Sequence, residues 1–393
     1  VSEPFCVLQV IPRMRAGGAE LGCLQVAEAL SKAGHRAFVA SQGGRLAERL
    51  AEFGAIHITL PLASKNPLRM LANARELVSI IRRENVDIIH ARSRAPAWSA
   101  LWAARKTGIG FVTTYHSEYS ETSRIKQLYN SVMARSDTVI AVSDYMAHLI
   151  RTRYHTPEER IAVIHRAFDP DRFDLAAMTD ERLEAVRSLL QIEAGDRVLL
   201  LAGRITPRKA QDHLVEALGI LKARGSSKIV AVLAGEIEKP EFRAKLEKDA
   251  ARLGVADWLR FPGHVADMPA AYMASDVSLN ISEQEGLPRA AIESQAMGVP
   301  MIVSDTGPGR EVALTPPDVL LTEATGLRVP YADPPALADA IATMLDWPKD
   351  ERKAMGQRGA AHVRSRFTLQ QLTSKTLHVY GAVLARRAGS PRS

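Results

Sequence analysis

Two cysteines in 393 residues are too few for a disulfide framework, and both, Cys6 and Cys23, lie in segments that read as buried strand and helix. Reduced core thiols and a cytoplasmic setting are therefore expected. No apolar run reaches the roughly 18 residues a membrane span needs, and the start of the chain lacks the basic region and apolar stretch of a signal peptide. A soluble or peripheral protein is expected. Aromatic residues make up only 5% of the chain, and neither zinc-finger spacing nor an RNA-binding aromatic signature accompanies the basic residues, which argues against nucleic acid as a partner. The net charge of +7 is uneven: residues 1–168 hold 22 Lys and Arg against 14 Asp and Glu, and the remainder 29 against 30. A basic first half suits an anionic membrane surface or a phosphorylated glycolipid, although solvated helix faces account for many such residues in any soluble protein.

What is present is a repeated alternation. Strand-like runs at Cys6–Ile11, Arg36–Ser41, Ile56–Leu60, Val86–Ala91, Phe111–Tyr115, Thr138–Val142 and Ile161–Ile164 are separated by helical patterns, the first over Ala19–Ala33. The pattern lapses between Phe168 and Asp196, which reads as a linker carrying one helix. It restarts with strands at Val198–Ala202, Ile229–Ala234, Trp258–Phe261, Val277–Ile281 and Met301–Ser304. Short β-branched runs alternating with longer helices imply parallel sheets covered on both faces, hence an α/β chain of two tandem Rossmann-like domains. The expected boundaries are 1–168 and 169–367, with an amphipathic helix near 368–387 returning to the first domain and a frayed end from Ala388 to Ser393. Ligands of such sheets lie beyond the carboxyl ends of the strands, so two facing sheets would leave a deep cleft lined by those loops.

Six loops carry candidate chemistry. Gly17 and Gly18 follow the first strand and open a helix whose amides can approach an anion or a sugar. A dinucleotide cofactor is disfavoured, because the spacing is not G-x-G-x-x-G and the second strand ends in Ser41-Gln42-Gly43-Gly44 without a ribose-binding acid. No cofactor is expected. After the strand Val198–Ala202, Arg204 and Lys209 sit at a helix start, which suits a diphosphate; an ordinary basic turn is the plainer alternative. After Val277–Ile281, Glu285 lies in a loop and Glu293 is expected to be exposed one turn into a helix for which Pro288 suits the first position. Two acceptor-only carboxylates can grip vicinal hydroxyls of a hexose and a ribose, or can simply be solvated acids. His116 directly follows Phe111–Tyr115, where it can bond a sugar hydroxyl, and His264 ends a later strand, where backbone can line a base. Gly307-Pro308-Gly309-Arg310-Glu311 adds flexible backbone and another cation at a strand end. Asp169-Pro170-Asp171 has the form of a metal-binding Asp-x-Asp, but its position in the linker favours a turn, and no metal is expected.

Taken together, Gly17-Gly18-Ala19-Glu20, His116, Gly203-Arg204 with Lys209, Phe261-Pro262-Gly263-His264-Val265, the two glutamates and Thr325-Gly326-Leu327-Arg328-Val329-Pro330 resemble the family 4 retaining glycosyltransferases of GT-B fold across essentially the whole chain. The resemblance implies that Arg204 and Lys209 bind the donor diphosphate, Glu285 with Gly286 and Leu287 the donor sugar, Glu293 the ribose, and that His116 touches the sugar near the reacting centre. Two positions depart from the pattern: Leu287-Pro288 stands where many relatives have Phe-Gly, and Ala167 where a glycine is common. The texture around Ala91–Pro96 is similar to that of bacterial transferases acting on lipopolysaccharide core or other envelope glycans. A nucleoside diphosphate sugar, with GDP-mannose favoured, is the implied donor, and a glycolipid or oligosaccharide the implied acceptor. A sugar-nucleotide 2-epimerase of the same fold and a non-enzymatic nucleic-acid-binding protein are the alternatives.

Overall fold

The computed structural model describes residues 3–15 and 17–389. Two compact units emerge, one running to Arg166 and resuming at Leu369, the other Ala167–Thr368. Of the expected frayed end, residues 390–393 lie outside the described residues.

The first unit is built on β1 (Cys6–Val10), α1 (Gly18–Lys32), β2 (Arg36–Ser41), α2 (Arg45–Glu48), β3 (Ile56–Thr59), α3 (Pro67–Arg83), β4 (Ile88–Ala91), α4 (Arg94–Thr107), β5 (Gly110–Tyr115), α5 (Arg124–Asn130), β6 (Thr138–Ala141), α6 (Asp144–Tyr154) and β7 (Ile161–Val163). Its seven strands run parallel in the order β3-β2-β1-β4-β5-β6-β7, with Val7 opposite both Ala37 and Ile88. Residues of β1, β4 and β5 are buried throughout, as expected of strands covered on both faces. The chain winds outward from β1 to β3, then back from β4 to β7. Right-handed crossovers therefore place α1 on one face of the sheet and α3 to α6 on the other. Pro67 suits the first turn of α3, and the Asn66 side chain caps that helix by accepting from the amides of Leu68 and Arg69 at 2.9 and 3.3 Å.

The second unit comprises α7 (Asp180–Leu189), β8 (Arg197–Ala202), α8 (Gln211–Ala223), β9 (Ile229–Ala234), α9 (Pro240–Arg252), β10 (Leu259–Gly263), α10 (Met268–Met273), β11 (Val277–Asn280), α11 (Arg289–Ala296), β12 (Met301–Ser304), α12 (Gly307–Val312), β13 (Gly326–Val329), α13 (Pro334–Asp346) and α14 (Lys349–Arg366). Its six strands are parallel in the order β10-β9-β8-β11-β12-β13. Leu199, Leu201, Leu214, Leu218, Val277 and Ile302 are fully or almost fully buried in its core. The edge strand β13 is not among the expected strands. It is four residues long, begins with a glycine and contains an arginine, so it carries no strand pattern. Gly326 is required there because a Cβ would collide with the Met301 carbonyl oxygen.

The expected linker is not one. Phe168 and Phe173 are buried, α7 packs on α10, and Arg182 forks onto Asp267 with two bonds of 2.9 Å, so the segment is part of the second unit. Polar composition conceals a segment that needs only two aromatic anchors and one ion pair to dock. The last helix, α15 (Leu369–Ala388), returns to the first unit, where it packs on α1 and β5. Tyr380 is buried there, and Arg387 bonds Asp137 at 2.9 Å.

Candidate active site

In the second unit the strand order reverses between β8 and β11, the place where open α/β sheets bind ligands. The loop after β8 is held close to the sheet: Gly203 has φ 155°, and a Cβ on Gly235 would overlap the Gly203 carbonyl oxygen. A single 3-10 turn, Pro207–Lys209, follows, and Ala210, at φ 56°, turns the chain into α8. Lys209 folds back over Gly203 and pairs with Glu285, the two side chains being 21% and 16% exposed. The loop after β11 is latched to the same turn, since the amide of Glu283 donates to the Arg208 carbonyl at 2.9 Å and Arg208 donates to Gln284 at 2.6 Å. One turn into α11, Arg289 donates to Glu293 at 2.8 Å, both side chains being largely buried. Below them lies Tyr272, whose hydroxyl is buried without a hydrogen-bond partner and whose pKa is raised well above its usual value by burial and by the Glu293 carboxylate.

Lys209, Glu285 and Glu293 thus belong to one pair of neighbouring strand ends, as expected. The local geometry adds four details. Arg204 is turned outward, with 64% of its side chain exposed, and its fork is held by Glu238 at 2.9 Å. Leu287 is fully buried, so its side chain contributes packing and only its backbone, with that of Gly286, is available to a ligand. Pro288 is the residue before α11 rather than its first member, and Glu293 is largely covered rather than exposed on that helix. Gly307–Val312 is a helix, not a pliant loop: Gly309 is pressed against the Ser304 carbonyl, and Arg310 is neutralised by Asp305 at 2.7 Å. His264 is exposed just after Gly263, itself at φ 73°. Glu238, Arg289 and Tyr272 do not stand out in the sequence. Glu238 reads as a solvated acid before Pro240, while Arg289 could have been found from its i,i+4 spacing to Glu293.

In the first unit the corresponding reversal lies between β1 and β4. Gly17 caps α1 and Gly18 begins it, and the Glu20 carboxylate folds back over Gly17, occupying the space a side chain there would need. Arg92, at the end of β4, reads in the sequence as one more surface cation. It is instead only 5% exposed, donates to Gln9 at 2.7 Å and forms no ion pair among the described residues. Gln9 in turn donates to the Cys23 carbonyl at 3.0 Å, so the cation is tied to the floor of α1. His116 follows β5, with both ring nitrogens buried and without a hydrogen-bond partner, while Arg166 donates to its carbonyl oxygen at 2.8 Å. Burial first, then the cations Arg166 and Arg92, hold its pKa well below 6.5, so the ring is neutral at physiological pH. His90 gives the contrast: fully buried, it is satisfied by Tyr380 and Thr114, each at 2.7 Å. Of the two, His116 alone has ring nitrogens left to offer a ligand.

Asp169 accepts from the amides of Asp171 and Arg172 at 3.1 and 3.4 Å, the geometry of a turn.

The model of Glycosyltransferase Family 4 matches residues 16–172, and that of Glycosyl transferases group 1 matches residues 184–362. A D-inositol 3-phosphate glycosyltransferase of Streptomyces scabiei is 32% identical over 333 residues, covering 77% of this chain and 69% of that one. The match to the enzyme of the same name from Salinispora tropica spans only about half of it, 52%. Among solved structures, a glycosyltransferase from Rickettsia africae superposes with a TM-score of 0.85 at 31% identity, over 98% of this chain and 99% of the other. The Anabaena protein HepE, solved in complex with UDP and glucose, superposes with a TM-score of 0.82 at 20% identity, over 96% and 100%. Two parallel Rossmann-like sheets, the matched models and these relatives agree: the chain belongs to glycosyltransferase family 4 and has the GT-B fold.

Proposed function

We propose that this glycosyltransferase moves a hexose from a nucleoside diphosphate sugar to a hydroxyl of an envelope glycolipid or oligosaccharide, without a metal and with retention of the anomeric configuration. The observation that carries the reading is the paired Lys209 and Glu285 at the strand-order reversal of the second unit. A cation for the diphosphate stands beside an acceptor for sugar hydroxyls, and Glu293 offers a second acceptor for a ribose. UDP in the Anabaena neighbour supports a nucleotide donor. GDP-mannose and a lipopolysaccharide-core acceptor are our preferred donor and acceptor, supported by family resemblance alone, with UDP-glucose the competing donor.

Retention follows from the roles given to the carboxylates. Glu285 and Glu293 are each held by a cation as hydroxyl acceptors, which leaves neither as a nucleophile beneath the anomeric carbon. Same-face transfer remains. The departing phosphate takes the acceptor proton while Lys209, and Arg204 once released from Glu238, stabilise its charge. In the first unit, neutral His116 has ring nitrogens available to a hydroxyl.

Titration calorimetry with GDP, UDP and ADP and their sugars tests the donor, and NMR of the product reads the anomer. An α donor should give an α product in excess EDTA. A β product would overturn retention, EDTA-sensitive turnover the metal-free reading, and interconversion of the sugar nucleotide without acceptor would establish the epimerase instead.

A further inference from the structure

The basic surplus of the first unit is concentrated on one face of its sheet. Helices α3, α4 and α5, on that face, carry nine basic residues against a single acid, Glu76. Large apolar side chains stand exposed among them: Leu68 and Leu71 of α3 at 79% and 43%, Ile125 and Leu128 of α5 at 80% and 56%. Each pair has i,i+3 spacing and so shares one side of its helix. The two helices flank α4 at the same level, because Trp98 donates to the Tyr129 carbonyl at 3.1 Å and the adjacent Ser99 to the Met70 carbonyl at 2.8 Å. Arg69 lies between the two leucines in sequence, and Arg124 and Lys126 bracket Ile125. None of these three cations forms an ion pair among the described residues.

We propose that the leading turns of α3 and α5 form a docking surface for an anionic phospholipid bilayer, with Leu68, Leu71, Ile125 and Leu128 entering the acyl boundary and Arg69, Arg124 and Lys126 meeting the headgroup phosphates. The proposal deepens the reading of a glycolipid acceptor and rests on it. A bilayer interface layers its chemistry, anionic oxygens above hydrocarbon, and cations placed next to isolated aliphatic side chains match both layers at once. A protein partner fits less well, because the buried core of a protein interface is depleted of charge and of lysine in particular, whereas here cations adjoin the two most exposed apolar side chains, Leu68 and Ile125. The face presents no carboxylate there to complement a basic partner either.

The test uses the full chain with vesicles of phosphatidylcholine alone and of phosphatidylcholine with phosphatidylglycerol, read by flotation. The unaltered protein should bind the anionic vesicles and not the neutral ones, and release should follow added salt as exposed charges are screened. Leu68→Ser with Ile125→Ser should lower the partition at least tenfold, and Arg69→Ser, Arg124→Ser and Lys126→Ser about fivefold for each charge removed. All five positions are exposed, so circular dichroism and nucleoside diphosphate affinity should not change. Equal binding to both vesicles, or an unchanged partition for the leucine–isoleucine variant, overturns the surface. A mass by light scattering that falls in that variant overturns it in favour of self-association. If the protein binds vesicles as described but no nucleoside diphosphate, the surface stands and the transferase reading falls; if it binds nucleotide but no vesicles, the surface falls and the transferase reading stands.

Discussion

The two units place charge in opposite ways. At the strand-order reversal of the second, every candidate ligand group already has a counter-charge: Lys209 with Glu285, Arg289 with Glu293, Arg204 with Glu238. In the first, Arg92 at the reversal is buried beside the Gln9 amide, the Tyr380 hydroxyl and the Cys23 thiol and forms no ion pair among the described residues, and His116, one strand over, is kept neutral by burial and by two cations. The second site can hold charged groups in place before a ligand arrives because each pair offsets its own desolvation. The first avoids that cost for its histidines by excluding their protons. An anionic ligand suits the former, where a phosphate can take over a lysine; a neutral hydroxyl suits the latter.

Breaking the pairs of the second unit should have the largest effect. Lys209→Ala removes a half-buried cation from a half-buried carboxylate, and the loss in kcat/KM should be on the order of 100- to 1000-fold, with a weaker but parallel loss in nucleoside diphosphate affinity. Glu285→Gln should keep nucleotide affinity while losing turnover to a similar degree, since the amide retains shape but surrenders the charge-assisted bond to a hydroxyl. Arg204→Ala should cost only about tenfold, because its pair with Glu238 is exposed and such pairs contribute little. Steady-state kinetics of the three variants orders them. Equal losses for Arg204→Ala and Lys209→Ala would break the argument that burial sets the ranking.

That ranking marks where the sequence stops being legible. Twelve of the thirteen strands are readable as β-branched runs, because a buried parallel strand is apolar throughout; β13 is not, being short and carrying glycine and arginine. The positions of Lys209, Glu285 and Glu293 follow from their loops at strand ends. Their partners do not, since Glu238 is 34 residues from Arg204 and only the packing of β8 on β9 brings them together. Burial is equally hidden for Arg92, which is one basic letter among many until Gln9 is seen beside it. The segment 168–196 shows the converse: polar letters suggest a linker where two phenylalanines dock.

Acid should separate the units next. His90 and His116, both in the first unit, have pKa values held well below 6.5, chiefly by burial. His35 and His57, in the same unit, are lowered by burial as well, whereas in the second unit His362 is the one lowered histidine among the described residues. The folded state refuses protons that the unfolded chain accepts, so the stability these groups give is complete above about pH 6.5, the unfolded value. It is lost as pH falls from there toward the depressed folded values, at about 1.4 kcal/mol per pH unit for each proton refused. Hydrogen exchange followed by mass spectrometry at pH 7.5 and 5.5, corrected for intrinsic rates, should show β4 and β5 losing protection while β8 and β9 keep theirs. Equal losses in both units would remove histidine as the cause.

The smallest effect should sharpen the same contrast within the first unit. Tyr380→Phe removes the hydroxyl at 2.7 Å from His90 Nδ1 while keeping the ring that packs α15 into the core. A buried ring nitrogen is then left without its partner, a cost of about 1–2 kcal/mol. That cost should appear in the unfolding of the first unit and leave the second unchanged, because His90, Thr114 and Tyr380 all belong to the first. A His90→Phe background should abolish the share of the Tyr380→Phe penalty that passes through the imidazole, leaving the share that comes from the hydroxyl's bond to Arg92. A double-mutant cycle by denaturant unfolding reads the coupling. A coupling near zero would mean that α15 is held by its apolar contacts and by the Arg387–Asp137 bond at 2.9 Å, with the histidine pair incidental. A coupling of about a kilocalorie or more would make the satisfied His90 an anchor, leaving the unsatisfied His116 as the one of the two reserved for a ligand.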